Sequence, residues 1–126
     1  MSIWAHVAGV IRFDGMLGLT PEPDCGNTCS FEDDGPIWDR CNIPCGSEGS
    51  LQVSKWQDPT GSSLAQWTYT IFGDLRSFED FQEIINYFTR ITDGQAVRNG
   101  VFTVEIGPQK RTFLHDGEGF VELVVK

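Results

Sequence analysis

Positive charge is what this sequence has least of. Its 9 Lys and Arg face 18 Asp and Glu, for a formal net charge of -9 at pH 7. A surface with that balance repels phosphate backbones, which disfavours general DNA or RNA binding. No stretch is apolar for long enough to span a bilayer and no basic leader stands at the start, so the sequence predicts neither membrane insertion nor export. Catalytic signatures are also missing. There is no Gly-Lys-Ser/Thr of a phosphate-binding loop, no HExxH, no nucleophile elbow and no C-x-x-C redox pair. His6 reads as a packed or hydrogen-bonded strand residue, His115 as a solvent-facing turn residue, and Asp116-Gly-Glu118 as hairpin chemistry rather than paired catalytic carboxylates. A non-enzymatic role is favoured over a small zinc-stabilised hydrolase or redox enzyme.

The most informative feature present is the run from Cys25 to Ser50, with Cys25-Gly-Asn-Thr-Cys29 and Cys41-Asn-Ile-Pro-Cys45 separated by an acidic spacer. Two C-x3-C pairs can bring four thiolates to one zinc ion, making Cys25, Cys29, Cys41 and Cys45 candidate ligands of a structural metal. Free, partly buried thiols and disulfides are the alternatives, the latter weakened by the reducing cytoplasm that the missing leader implies. Most of the excess charge lies in the same region: Glu22, Asp24, Glu32, Asp33, Asp34, Asp39 and Glu48 against Arg40. A solvated acidic loop is one reading, and a surface that imitates nucleic acid or meets a basic partner is the other.

At 126 residues, with 40% hydrophobic and 12% aromatic content, the chain can bury one core, and a single domain over 1–126 is expected. Strand-like sequence runs from Ile3 to Asp14, with Ile3, Val7, Ile11 and Phe13 on one face and Trp4 and Val10 on the other. A long acidic loop follows over 15–49, a length that is usually functional, disordered or tied by a cross-link. Strands are predicted at Leu51–Trp56, Leu64–Phe72 and Val97–Ile106 and within Thr112–Val125, with turns at Gly107-Pro108 and at His115–Gly119. Between them, Ser77 is the expected cap of a helix whose apolar stripe is Phe78, Phe81, Ile84, Ile85, Phe88 and Ile91, ended by Gly94. The order β-β-β-α-β-β, with room for a sixth strand, predicts an α+β fold: a mainly antiparallel five- to six-stranded sheet with one amphipathic helix on one face.

Strands two and three are expected to form a hairpin through a turn at Asp58–Ser63, which brings Gly46, Ser47, Glu48, Gly49, Ser50, Asp74 and Arg76 to one end of the sheet, and if strand one pairs antiparallel with strand two, Arg12 joins them. Serine hydroxyls, a glycine loop and two arginines are the parts of an anion site, while Glu48 and Asp74 are equally able to pair with those arginines. This cluster is the candidate site for a small anionic or nucleotide ligand.

Three stretches carry a resemblance: Trp4-Ala-His-Val-Ala-Gly-Val-Ile-Arg12-Phe-Asp14, Cys41-Asn-Ile-Pro-Cys45-Gly-Ser-Glu-Gly-Ser-Leu-Gln52 and Phe72-Gly-Asp-Leu-Arg76. They resemble a family of short, uncharacterised tailed-bacteriophage proteins. The resemblance implies action in the cytoplasm of an infected bacterial host. By analogy with small acidic phage proteins, it favours an accessory protein that binds and modulates a host component, such as a bacterial immune system, over one that sequesters a nucleotide signal. Because one helix covers one face, the exposed apolar residues of the other predict a homo-oligomer, most simply a dimer, unless the long loop folds over them.

Overall fold

The computed structural model describes residues 3–16, 23, 25, 43–57 and 64–124. Among these residues the elements are β1 (Trp4–Met16), β2 (Gln52–Gln57), β3 (Leu64–Arg76), α1 (Phe81–Thr92), β4 (Val97–Ile106), β5 (Gln109–His115) and β6 (Phe120–Leu123). The expected α+β architecture is present, with six antiparallel strands in the order β2-β3-β1-β4-β5-β6. The expected turn at 58–63 and most of the 15–49 loop lie outside the described residues.

The pairing of strand one with strand two is corrected. β1 lies between β3 and β4, and its register with β3 runs without interruption from Trp4↔Arg76 to Met16↔Leu64. Length explains the choice: β1 and β3 have 13 residues each and β2 has 6, so pairing the two long strands satisfies more backbone donors and acceptors. The long connection after β1 leaves room for β3 to enter beside it.

The helix cap also differs from the expectation. Asp80 caps α1, its carboxylate accepting from the Gln82 and Glu83 amides at 2.9 and 3.3 Å. Ser77 instead turns the chain out of β3 at φ 57° and donates its N–H to the Ile3 carbonyl at 2.6 Å. Buried Phe78 then ties the connection to the core.

Alternation along β1 sends Ala5, Val7, Gly9, Ile11 and Phe13 to the buried face, where α1 packs with Ile84, Tyr87, Phe88, Ile91 and Thr92. The Phe88 ring lies parallel to Phe102 of β4, with centroids 4.0 Å apart, and Phe102 stacks on Phe113 of β5 at 4.7 Å. Phe120 closes the group edge-on at 6.1 Å from Phe88 and 4.8 Å from Phe102. Gly9 makes this possible: a Cβ there would stand 2.9 Å from the Phe102 Cβ and 3.0 Å from the Phe88 ring. At the rim, Arg111 lies over the Phe81 and Phe113 rings and holds Glu122 through two bonds of 2.6 and 3.0 Å. That guanidinium lowers the Glu122 carboxyl below its usual range.

Overpacking at Gly9 costs about 1–3 kcal/mol and loss of a buried phenyl ring about 3–5 kcal/mol, so Gly9→Val and Phe88→Ala should both lower the free energy of unfolding by those amounts. Urea denaturation measures both. A Gly9→Val protein as stable as the parent refutes the contact.

Candidate functional site

Residues 45–50 form a small antiparallel turn clasped to the end of β3. Cys45 and Ser50 are bridged, and the Gly46 amide donates to the Gly49 carbonyl at 3.0 Å. The Ser47 amide and hydroxyl donate to the Arg76 carbonyl at 2.8 and 3.3 Å, and the Arg76 amide donates to the Glu48 carbonyl at 3.0 Å. A side chain on Gly46 would collide with the Arg76 backbone, so this approach requires glycine. Ile43 and Leu51, both in the core, hold the ends of the turn in place.

Gly46, Ser47, Glu48, Gly49, Ser50, Asp74 and Arg76 are therefore neighbours, as expected. Their charges are engaged within the fold: Arg76 Nη1 donates to Glu48 Oε1 at 2.6 Å, and Asp74 Oδ1 lies 2.6 Å from His6 Nδ1. Arg12 is not with them. In the β1–β3 register it stands opposite Thr68, eight residues along the strand from the Trp4↔Arg76 pair, a separation of about 26 Å at the usual strand rise. Because β3 runs antiparallel to β1, the start of β1 meets the end of β3, and the two arginines belong to opposite ends of the sheet.

Arg12 instead lines a cleft of about 390 Å³ on the sheet face opposite α1, with Asp14, Trp56, Gln66, Thr68 and Arg98. Trp56 is 55% exposed. Thr68, a short side chain, sits between Arg12 and Trp56 in the cross-strand register and forms the floor. Arg98 Nε lies 3.3 Å from Asp14 Oδ2, while Arg12 makes no ion pair among the described residues. A register shift at Arg12/Phe13 brings β4 to this place. Sequence reasoning missed Trp56 and Arg98. Strand alternation sets Trp56 on the face opposite Val53, which packs against the core, but the strand order that places it beside Arg12 is not a local property.

Cys29 and Cys41 lie outside the described residues, so only half of the candidate metal set can be placed. Cys25, buried in the core, and Cys45, half-buried with a free thiol, both lie on the helix side of the sheet. The Tyr87 hydroxyl donates to the Cys25 carbonyl at 2.6 Å, and the Tyr69 hydroxyl donates to the Pro23 carbonyl at 3.0 Å. Burial, and then the nearby Glu83 carboxylate, push the Cys45 thiol up from its ordinary value. Its Sγ donates to the Ile43 carbonyl at 3.3 Å.

Of the histidines, His6 is hydrogen-bonded within a strand, as expected. His115 is half-buried at the end of β5 rather than free in a turn: its Nδ1 accepts from the Gly117 amide at 3.1 Å and its ring meets Phe120 edge-on. Asp116 accepts from the Glu118 and Gly119 amides, and these bonds lower its carboxyl pKa. No family model matches the chain, and it matches no curated protein and no solved structure. Among the described residues no helix is long and apolar enough to cross a membrane.

A raised thiol pKa means less thiolate at a given pH, and thiolate is the reacting species. In chelator-treated protein at pH 8, Cys45 should therefore be alkylated more slowly than in the urea-unfolded chain, as read by peptide mass mapping. Faster alkylation in the folded protein contradicts this placement.

Proposed function

We propose that this chain is a non-enzymatic phage accessory protein that binds and modulates a host component in the bacterial cytoplasm, a bacterial immune system being the target class. The observation that carries the reading is the anchoring of the acidic segment. Residues 26–42, with Glu32, Asp33, Asp34 and Asp39 against Arg40, run between two buried anchors, Cys25 and Ile43. Buried tyrosine hydroxyls fix the backbone at Pro23 and Cys25, and the Cys45–Ser50 clasp fixes the other end. Pinning both ends lowers the ordering cost of using such a segment for binding. Its charge suits a basic partner surface, which it would attract over a range set by salt.

The expected experiment is co-purification from bacterial host cytosol at physiological salt. A partner should be retained by the parent chain and lost by a Glu32→Gln, Asp33→Asn, Asp34→Asn, Asp39→Asn variant of unchanged thermal stability. A partner held equally well by that variant, or no partner above background, overturns the reading.

Zinc belongs to the same proposal. One ion shared by Cys25, Cys29, Cys41 and Cys45 would join the two anchors across the acidic segment, and binding would displace the proton that burial keeps on Cys45. Purified protein should then hold about one zinc per chain, and chelation should speed proteolysis within 15–49 while the sheet persists. Metal-free protein of equal protease resistance sinks the zinc part.

A further inference from the structure

The sheet face opposite α1 has an order that the exposed residues reveal row by row. One cross-strand row reads Thr70, Val10, Val101, Leu114, Val121. The next reads Phe72, Ala8, Thr103, Thr112, Leu123. Val10, Phe72, Val101, Leu114, Val121 and Leu123 are each between 37% and 51% exposed, and an apolar surface of this continuity is uncommon on a monomer. The described parts of the long loop pack on the other face, against Tyr69 and Tyr87.

Charge borders the apolar rows asymmetrically. On the Ala8 side lie Asp74, His6, Glu105 and Lys110. On the Val10 side lies the cleft of Arg12, Trp56, Thr68, Arg98 and Asp14, in which Asp14 offsets Arg98 and leaves the Arg12 charge in excess. We infer that this face binds a second copy of the chain, about a two-fold axis that runs along the rows between Ala8 and Val10.

Two two-fold arrangements lay the face on itself with strands aligned. An axis along the strands puts each row on its own counterpart: over β1 it sets Asp74 of one copy on Glu105 of the other and Arg12 on Arg12, and between β1 and β4 it sets Asp74 on Lys110 and Arg12 on Asn99. The axis along the rows exchanges them. Ala8 then faces Val10 of the second copy, Thr70 faces Phe72 and Thr112 faces Leu114, small against large, while Thr103 faces Val101 and Leu123 faces Val121. The same operation carries Asp74 of the second copy onto Thr68, the floor of the cleft between Arg12 and Trp56, and carries His6, bonded to that Asp74, onto Arg12. It also brings the second copy's Glu105 to Asn99, next to Arg98. The axis along the rows thus brings the second copy's Asp74 beside Arg12, and exchanging the Arg12 and Asp74 charges distinguishes it from an axis along the strands between β1 and β4.

Aligned sheets pack about 30° apart because each is twisted, so the pairing holds best at β3, β1 and β4 and drifts towards β6. Six strands about 4.8 Å apart and four rows about 6.8 Å apart give a footprint on the order of 600 Å² before side-chain relief is counted. A stable interface of standard size takes about 800 Å² per partner. The inference is independent of the acidic segment, whose described anchors lie on the helix side.

Light scattering and sedimentation on the full chain test it. The expected result is a mass twice the 14.1 kDa of the chain at micromolar concentration, falling to monomer in a folded Val101→Asp variant. Arg12→Glu and Asp74→Arg should each raise the dimer dissociation constant at least tenfold, and the double variant should recover most of the loss. A monomer at tens of micromolar, or a dimer indifferent to Val101→Asp, overturns the inference. Single charge variants whose effects simply add, without recovery in the double variant, overturn this arrangement.

Discussion

The close approach of Phe88 to Gly9 is the constraint on which the rest of the fold depends. Gly9 is on the central strand, and the space left by its missing side chain lets an aromatic ring from α1 lie flat against Phe102. The stack continues through Phe113, so one helix reaches three strands on one side of β1. On the other side, Tyr87 and Tyr69 reach the segment after β1 through their hydroxyls. A single helix of 12 residues thereby organises a six-stranded sheet and one end of the long acidic connection.

The antiparallel pairing of β1 with β3 determines which charges meet. It brings His6 to Asp74 and leaves Arg76 with Glu48, so the polar end of the sheet is occupied by its own ion pairs and backbone bonds. The same pairing moves Arg12 to the far end, beside Trp56 and Arg98. The sheet face is consequently polarised along the strands, acidic near His6 and cationic near Arg12, with apolar rows between. Exposed pairs of this kind contribute little stability individually, but their distribution strongly limits how the face can meet another surface.

The helix side has a different character. Cys25 contributes to the core, Cys45 is half-buried beside Glu83, and the turn from Cys45 to Ser50 fits against β3 because Gly46 lets the two backbones touch. These contacts hold the ends of an acidic segment on a rigid support. The helix side therefore holds both described anchors of the acidic segment, and the opposite face carries the apolar rows with charge at either end.

Local periodicity was enough to identify the strands, the helix and the Ile84, Phe88 and Ile91 part of its buried stripe, though not Tyr87, because alternation of two and a repeat near 3.6 are properties of neighbouring residues. It placed β4 at its observed ends and put Val7, Ile11 and Phe13 on the buried face. Seven members of the candidate cluster were also legible, since hairpin pairing of β2 and β3 joins the start of one to the end of the other. The helix start was not, because Asp80 and Ser77 are both good caps and only the turn of the chain out of β3 chooses between them. Strand order was likewise decided in three dimensions. The partner of β1 depends on matching strand lengths and on the space above Gly9, both relations between residues far apart in sequence, and with that partner went the position of Arg12.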